Sequence, residues 1–294
     1  MKIGVIGNCS ASAIGMTFQQ LLEDCDVFSF EANAVLRANN FDHAFSVLKE
    51  CDIVFSLPLP DQYGILAYNN LKAEHKNVQR LPNIVFTGFH PDCIYCNYND
   101  HLFESPLEVL HSAIIAAAFS LHFNPRQTYD LFNDRVYRQL GYFDEFEKAR
   151  VFLSNIMQGC GLDLSAEWPH WMSRGAFMYT TNHPRAIISA RVATLMAIKS
   201  GLVPPGTPVP EPLMEELALH TIWPVYPPIA EALGFRGSYL FKKQGQPDRR
   251  GGGGVFMRLE DLIERSFDMY QKYPKEMFTI PAVARIQSIL KKCN

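Results

Sequence analysis

Short apolar runs alternate with helix-compatible segments over the first ninety residues of the chain. The apolar runs lie at residues 3–6, 26–30, 52–57 and 83–87. Continuous apolar character of this kind is typical of strands that are buried on both faces of a parallel sheet. The segments between them predict helices at residues 11–23, 42–49 and 61–71. This alternation indicates an α/β fold with a parallel sheet built from βαβ units.

Beyond residue 105 the pattern changes, and most segments have helical spacing. Predicted helices lie at residues 106–121, 130–140, 144–157, 166–172, 185–200, 213–220, 259–270 and 282–292. The proline-rich run at residues 203–212 fits neither a helix nor a central strand, so we expect it on the surface. We therefore expect an α/β part over residues 1–104 and a mainly helical part over residues 105–294, packed together as one integrated domain.

Composition narrows the class of protein. The net charge of −3 leaves no basic excess to offset phosphates, so a nucleic-acid partner is not expected. No window approaches the ~18 uninterrupted apolar residues of a transmembrane helix. Seven cysteines in 294 residues, an odd number, do not form the dense pattern of a disulfide scaffold. These features predict a soluble protein of the reducing cytoplasm.

Cys9 lies in the turn between the first predicted strand and the first predicted helix. Ser10 and Ser12 are good N-cap candidates for that helix. The N–H groups and the dipole of a helix start favour an anion, so they predict a lowered pKa and a reactive thiolate at Cys9. The alternative interpretation is a small buried cysteine in a tight turn.

Three segments are expected to converge at the carboxyl edge of the sheet, where ligands collect in such folds. They are residues 7–10, 57–63 and 87–92. His90 and His183 each precede a proline at an irregular junction, and either one could serve as a general base. A third group must orient such a base, and Asp92 or Asn182 is the candidate.

Other kinds of site compete with this one. His90, Cys93, Cys96 and His101 have a spacing that could ligate zinc, and the two cysteines could form a redox pair. We expect no metal, because this segment directly follows a predicted strand and the spacing can be fortuitous. A dinucleotide site is not favoured, because the expected G-x-G-x-x-G pattern is absent. A phosphatase-type cysteine loop would need arginine at position 15, which is glycine.

Five segments together resemble the WcbI family of capsular polysaccharide biosynthesis enzymes. They are GNCSAS at 7–12, LPLPDQY at 57–63, TGFHPDCIY at 87–95, FMYTTNHPRAIISA at 177–190 and YPPIAEALGFRGSYLFK at 226–242. Ser10 departs from the glutamine that more usually follows the cysteine in this family. The resemblance implies an acetyltransferase that takes acetyl from coenzyme A and gives it to a hydroxyl of a capsular sugar of 6-deoxyheptose type.

The resemblance also implies site residues. Cys9, His90, His183 and Asp92 are the expected catalytic residues, either through an acyl-cysteine or through direct attack by the sugar hydroxyl. The phosphates of coenzyme A call for local cations. The expected cofactor-binding residues are Asn8, Ser10, Arg174, Asn182, Lys242, Lys243, Arg249 and Arg250. An esterase-type hydrolase, a zinc-containing protein and a non-catalytic sugar- or nucleotide-binding protein remain as alternatives.

Overall fold

The computed structural model of the chain describes residues 1–99, 101–245 and 255–291. These residues cluster into two units, each assembled from separate stretches of chain. The first unit contains Met1–Val85, Phe152–Phe177 and His183–Leu217. The second contains Phe86–Val151, Met178–Asn182 and Ala218–Asn294.

The described elements are short. The strands are β1 Lys2–Gly7, β2 Asp26–Glu31, β3 Ile53–Ser56, β4 Val78–Arg80, β5 Cys93–Tyr95, β6 Asn97–Tyr98, β7 His101–Leu102, β8 Leu110–Ser112, β9 Phe241–Lys243 and β10 Val255–Met257. The first helices are α1 Ala11–Leu21, α2 Ala32–Ala38, α3 Phe41–Lys49, α4 Tyr68–Glu74, α5 Ala113–Ser120, α6 Pro125–Tyr129 and α7 Asp134–Leu140. The later helices are α8 Glu145–Gly159, α9 Trp168–Met172, α10 Ala186–Lys199, α11 Pro227–Ala232, α12 Leu259–Tyr270 and α13 Pro281–Leu290. Short 3₁₀ turns lie at Asp61–Leu66, Tyr142–Asp144, Glu216–Leu219 and Lys275–Thr279.

The first unit is built on a parallel sheet of order β2-β1-β3-β4, so the predicted fold class is confirmed. The chain leaves β1 toward β2 on one side and returns to β3 on the other side. In open α/β sheets such a reversal of strand order creates a crevice outside the carboxyl ends of the two strands concerned. Here that crevice lies beyond Gly7 and Ser56, which end β1 and β3.

The predicted position of the fourth strand, residues 83–87, is wrong. The fourth strand is β4, and after it the N–H of Leu81 donates to the carbonyl of Ser56 at 2.8 Å. Pro82 then has no N–H with which to continue the ladder. Within the second unit Phe86 donates to the carbonyl of Thr181 at 2.7 Å. The segment at residues 87–92 therefore belongs to the second unit and does not follow a strand of the sheet.

α1 packs against β2 and against α10 within the first unit. Gly15 makes the close approach to β2 possible, because a methyl group at this position would collide with the hydroxyl of Ser29. Phe18 stacks on Phe55 of β3, with ring centroids 4.5 Å apart. A helix from the C-terminal half thus packs on the first helix of the sheet, which is why the chain does not divide at residue 104.

The second unit combines helices with two-stranded antiparallel pairs, β5 with β8, β6 with β7 and β9 with β10. The helix predicted at 106–121 begins only at Ala113, because Ser112 caps it by accepting a hydrogen bond from the N–H of Ile115 at 3.1 Å. The helix predicted at 130–140 begins at Asp134, where Asn133 is the N-cap. Between residues 213 and 220 only a 3₁₀ turn forms.

In the described ranges no helix combines the length and the apolar character needed to cross a membrane.

Candidate functional site

The turn after β1 is held by Asn8. Its Oδ1 accepts a hydrogen bond from the N–H of Ser10 at 3.0 Å, and its carbonyl accepts one from the N–H of Ala11 at 2.9 Å. These bonds use the first donors of α1, and the Ser10 side chain makes no capping bond. The Ser10 hydroxyl is buried and finds no hydrogen-bond partner in the described part of the chain. A buried polar group of this kind is a candidate ligand contact.

Cys9 follows Asn8 at the carboxyl end of β1, beside the point where the strand order reverses. The side chain is partly exposed and its thiol is free. Asn8 Nδ2 donates to Oδ1 of Asn83 at 3.1 Å, which links this turn to the segment that follows β4. The crevice beyond β1 and β3 is therefore bordered by the cysteine turn and by Asn83.

The prediction of a lowered pKa at Cys9 is wrong. Partial burial is the largest effect and raises the pKa of the thiol, and the carboxylate of Glu31 raises it further. Glu216 also raises the pKa, whereas the backbone N–H of Cys9 and the guanidinium of Arg37 lower it. Arg37 is itself paired with Glu31 at 3.4 Å. The thiol is therefore the favoured form at neutral pH.

His183 lies in the first unit, as Cys9 does, and is half-buried. It lies three residues before the start of α10, and the N–H of Ala186, the first residue of that helix, donates to Oε2 of Glu215 at 3.0 Å. The next residue, Glu216, is close enough to Cys9 to raise its pKa. These adjacent glutamates bring the start of α10 and the cysteine turn into the same region of the first unit.

His90 lies in the second unit and is 1% exposed. Burial lowers the pKa of its ring to about 3, and the backbone of Trp223 opposes this effect only in part. Within the described residues neither ring nitrogen has a hydrogen-bond partner of good geometry. His90 is thus a neutral, very weak base.

Asp92 does not orient His90. This fully buried carboxylate accepts hydrogen bonds from Ser112 Oγ at 2.5 Å and from the N–H of Ile114 at 2.9 Å. It also accepts from the hydroxyls of Tyr142 at 2.9 Å and Tyr226 at 2.8 Å. Burial raises its pKa to about 6 despite these donors. Its four bonds join distant segments of the second unit, so Asp92 is a structural anchor.

The other predicted orienting group, Asn182, also lies in the second unit. Its Oδ1 accepts a hydrogen bond from the hydroxyl of Thr180 at 3.1 Å.

The predicted phosphate-binding cations have different surroundings. The ammonium of Lys242 donates to the carbonyls of Ala218, Leu219 and His220 at 2.9, 3.0 and 2.9 Å, so its three hydrogens are used within the protein. The prediction that it binds a phosphate is therefore replaced by a structural role.

Arg174 is exposed in the first unit, and Lys243 is partly exposed in the second. Arg249 and Arg250 lie outside the described residues.

The spacing that suggested zinc does not produce a ligand cluster. Among the described residues no group of three or more His, Cys, Asp or Glu side chains is arranged to hold a metal ion. Cys93 and Cys96 are buried free thiols, and burial raises the pKa of both, for Cys96 to about 12. His101 is exposed and packs edge-on against Phe103, with centroids 5.0 Å apart.

Sequence reasoning missed four residues that contact or influence the cysteine turn and the start of α10. They are Glu31, Asn83, Glu215 and Glu216. Glu31 ends β2 beside Gly7 in the sheet register, so an acidic residue at a strand end was the one signal that could have found it. Asn83 lies in a loop, and Glu215 and Glu216 lie in a segment predicted as a helix, so neither pattern pointed to the cysteine turn.

Comparison with known proteins gave two matches. The sequence matches the family described as polysaccharide biosynthesis enzyme WcbI over residues 2–205. A solved structure of WcbI, a novel polysaccharide biosynthesis enzyme, is similar with a TM-score of 0.67 and 15% identity. The match covers 99% of this chain and 94% of that one. That structure is described as the native protein without a disulfide bond between coenzyme A and one of its cysteines. The search of curated proteins found no significant match. The chain belongs to the WcbI family of polysaccharide biosynthesis enzymes.

Proposed function

We propose that this protein is a cytoplasmic O-acetyltransferase. It takes acetyl from coenzyme A and gives it to a hydroxyl of a capsular polysaccharide sugar of 6-deoxyheptose type, with Cys9 at the reacting centre. The observation that carries the proposal is the position of Cys9, between the end of β1 and the start of α1, beside the β1–β3 reversal. Two further points support it. The family consists of polysaccharide biosynthesis enzymes. A solved WcbI structure is described as the form without a disulfide bond between coenzyme A and a cysteine.

The residues at the turn fit the reacting end of such a donor. N–H groups at the start of an eleven-residue helix favour a developing negative charge, and those of Ser10 and Ala11 are already bonded to Asn8. The N–H groups that follow them, and the unpartnered hydroxyl of buried Ser10, remain as donors to a carbonyl oxygen. Bound acetyl-coenzyme A supplies the activated acetyl group.

Because the pKa of Cys9 is raised, the reaction requires a general base from the protein. A thiol that is protonated at neutral pH attacks a carbonyl only if a base removes its proton. His183 is the proposed base, because it lies in the same unit and precedes the helix capped by Glu215. In direct transfer the same ring takes the proton of the sugar hydroxyl, and Cys9 lines the pocket. His90 is the weaker candidate, since burial leaves it a poor proton acceptor.

The phosphates of the cofactor are left to the remaining cations. Arg174 is exposed and Lys243 is partly exposed, so both side chains can reach an anion that arrives from solvent. Arg249 and Arg250 are proposed as phosphate-binding residues from the sequence alone. Lys242 is not proposed, because its ammonium is bonded to backbone carbonyls. Asn8, Ser10 and Asn182 complete the proposed cofactor set.

Ligand-induced stabilisation tests the proposal. Coenzyme A at ~100 Kd should stabilise the folded protein by roughly 2.7 kcal/mol and raise its melting temperature. Dephospho-coenzyme A should stabilise it less if a cation reads the 3′-phosphate. Arg174→Ala should narrow the difference between the two ligands, and Lys148→Ala, which removes an exposed cation of the second unit, should not.

Acetyl transfer from labelled donor to a sugar acceptor tests the chemistry. Cys9→Ala should abolish transfer in the acyl-enzyme route and reduce it in the direct route, while Cys25→Ala should leave it unchanged. His183→Ala should lower kcat by about a hundredfold or more. Equal melting curves with and without coenzyme A, or full transfer by Cys9→Ala, would overturn the proposal.

A further inference from the structure

A cavity of about 670 Å³ lies within the second unit, and neither Cys9 nor any proposed cofactor-binding residue among those described lines it. It is lined by the end of α5, by α12 and by the Lys275–Thr279 turn. Its inner wall is rigid, because Phe119 packs edge-on against Phe267 at 5.2 Å and Tyr270 against Phe278 at 5.3 Å. The hydroxyl of Tyr270 is further held by His111 Nδ1 at 2.9 Å. The cavity is therefore present before any ligand binds.

The lining chemistry is unusual for a hydrophobic pocket. Of the described residues that form it, half are aromatic, the rest are polar, and none is aliphatic. The polar ones include Gln271, Lys275, Thr279 and Gln287. Both amide hydrogens of Gln287 are engaged, one by Ser120 Oγ at 2.6 Å and one by the carbonyl of Phe278 at 3.1 Å. Its carbonyl oxygen is the atom left for a ligand hydroxyl.

This combination distinguishes between classes of ligand. Aromatic faces accept the C–H face of a pyranose ring, and amide and hydroxyl groups accept or donate to its hydroxyls. An acyl chain would call for aliphatic walls. A phosphorylated ligand would call for several cations, and Lys275 alone among the described lining residues carries a full positive charge. A neutral sugar fits best.

The shape indicates more than one sugar ring. A second cavity of about 540 Å³ is lined by Asn124, Pro125, Arg126 and Tyr129 and by the first turns of α12 through Glu260, Ile263 and Glu264. It is therefore mainly polar, with one aliphatic side chain from α12. The two cavities share the same face of α12, from residue 260 to residue 271. At 1.5 Å per residue this face is roughly 16 Å long. We call these two cavities together the α12 groove.

We infer that the α12 groove binds a neutral oligosaccharide stretch of the polysaccharide on which the enzyme acts. The inference deepens the proposed function and rests on it only for the identity of the polymer, since the saccharide class follows from the lining. It concerns binding, and it assigns no residue of the groove to the transfer step.

Saturation-transfer NMR and calorimetry on the full-length protein test the inference. The probes are maltotetraose, cellotetraose and mannotetraose, each without coenzyme A. At least one should bind, and Gln271→Ala and Phe123→Ala should each weaken its binding by about fivefold or more. Lys272→Ala is the matched control, because Lys272 is the exposed neighbour of Gln271 and does not line the cavity. It should bind as the unmodified protein does.

Gln271 is exposed, so its variant should fold normally and keep the test meaningful even if Phe123→Ala does not. Binding by none of the three probes would overturn the inference. Equal binding by Gln271→Ala and Lys272→Ala, or displacement of the sugar by adenosine or laurate at equal concentration, would overturn it too. Cys9→Ala should bind the sugar unchanged, so failure of acetyl transfer and failure of this inference are separately visible.

Discussion

Asn8 Nδ2 donates to Asn83 Oδ1 at 3.1 Å, and this bond joins the turn that carries Cys9 to the segment after β4. The two residues are 75 positions apart in the sequence. Because the same Asn8 side chain also accepts from the N–H of Ser10, it fixes both the entry to α1 and the edge of the crevice. The cysteine turn is therefore held from two directions by one amide.

Removing that amide should destabilise the first unit. Each hydrogen bond contributes about 0.5–1.5 kcal/mol, so Asn8→Ala should lower the free energy of unfolding by about 1–3 kcal/mol. Asn83→Ala removes one of the two bonds and should cost about half as much. Asn8→Asp keeps the acceptor for Ser10 and loses only the bond to Asn83, so it should cost about as much as Asn83→Ala. Urea denaturation measures all three, and an equal loss for Asn8→Ala and Asn83→Ala would contradict this assignment.

The reactivity of Cys9 should depend on its acidic neighbours. Glu216→Gln removes a charge that raises the thiol pKa, so more thiolate should exist at pH 7. We expect iodoacetamide to alkylate Cys9 faster in this variant than in the unmodified protein, because a larger fraction of the thiol is ionised. Peptide-resolved mass spectrometry gives the rate. Glu23→Gln, a change near the C-terminal end of α1, should have no effect.

Cys51 serves as an internal reference in the same experiment. Burial raises its pKa to about 11, so it should react more slowly than Cys9 at every neutral pH. A Cys9 rate that is unchanged by Glu216→Gln would show that Glu216 does not contribute to its raised pKa.

His90 and Asp92 should make opposite contributions to stability between pH 6 and pH 4. The pKa of His90 is about 3 in the folded protein against 6.5 for an unperturbed histidine, so its contribution is lost as the pH falls below 6.5. The pKa of Asp92 is about 6 when folded against 3.8 for an unperturbed aspartate, so its unfavourable contribution is relieved as the pH falls. Each effect amounts to about 2 kcal/mol over these two pH units, and the two nearly cancel.

Variants should separate the two effects. Relative to the unmodified protein, His90→Leu should become more stable as the pH falls from 6 to 4, and Asp92→Asn should become less stable. Chemical denaturation at several pH values gives both slopes independently of the overall loss that Asp92→Asn causes, because the amide replaces one of the two oxygens that share the four hydrogen bonds. Parallel slopes for the two variants would contradict the assignment of the buried charges.

Lys242 and Lys243 should behave differently although they are neighbours. Lys242→Met removes three bonds to backbone carbonyls and should lower the free energy of unfolding by about 1–3 kcal/mol. Lys243→Met should stay within about 0.5 kcal/mol of the unmodified protein. Calorimetric titration with coenzyme A should give the same Kd for folded Lys242→Met as for the unmodified protein. A weaker Kd would return Lys242 to the cofactor site.

The sequence by itself determined the parallel sheet of the first unit and the cysteine turn at its edge. Apolar runs mark β1 and β3, since strands buried on both faces must be apolar throughout. Gly7 and Asn8 end β1, and α1 begins directly after Ser10. These are local signals, carried by residues within one turn or one strand of each other, so they can be read without knowing the fold. The family resemblance added the expectation of a polysaccharide enzyme, which the comparison confirmed.

Only the tertiary structure decided what the polar residues do. His90, Asp92 and Lys242 all have titratable side chains. Burial makes His90 a neutral ring, whereas distant partners make Asp92 a structural carboxylate and Lys242 a donor to backbone carbonyls. Two carboxylates raise the pKa of Cys9. Glu31 comes from the neighbouring strand, and Glu216 comes from a distant part of the chain. A pKa depends on desolvation and on charges within a few ångströms, and contacts between residues so far apart in the chain leave no periodic trace in the sequence.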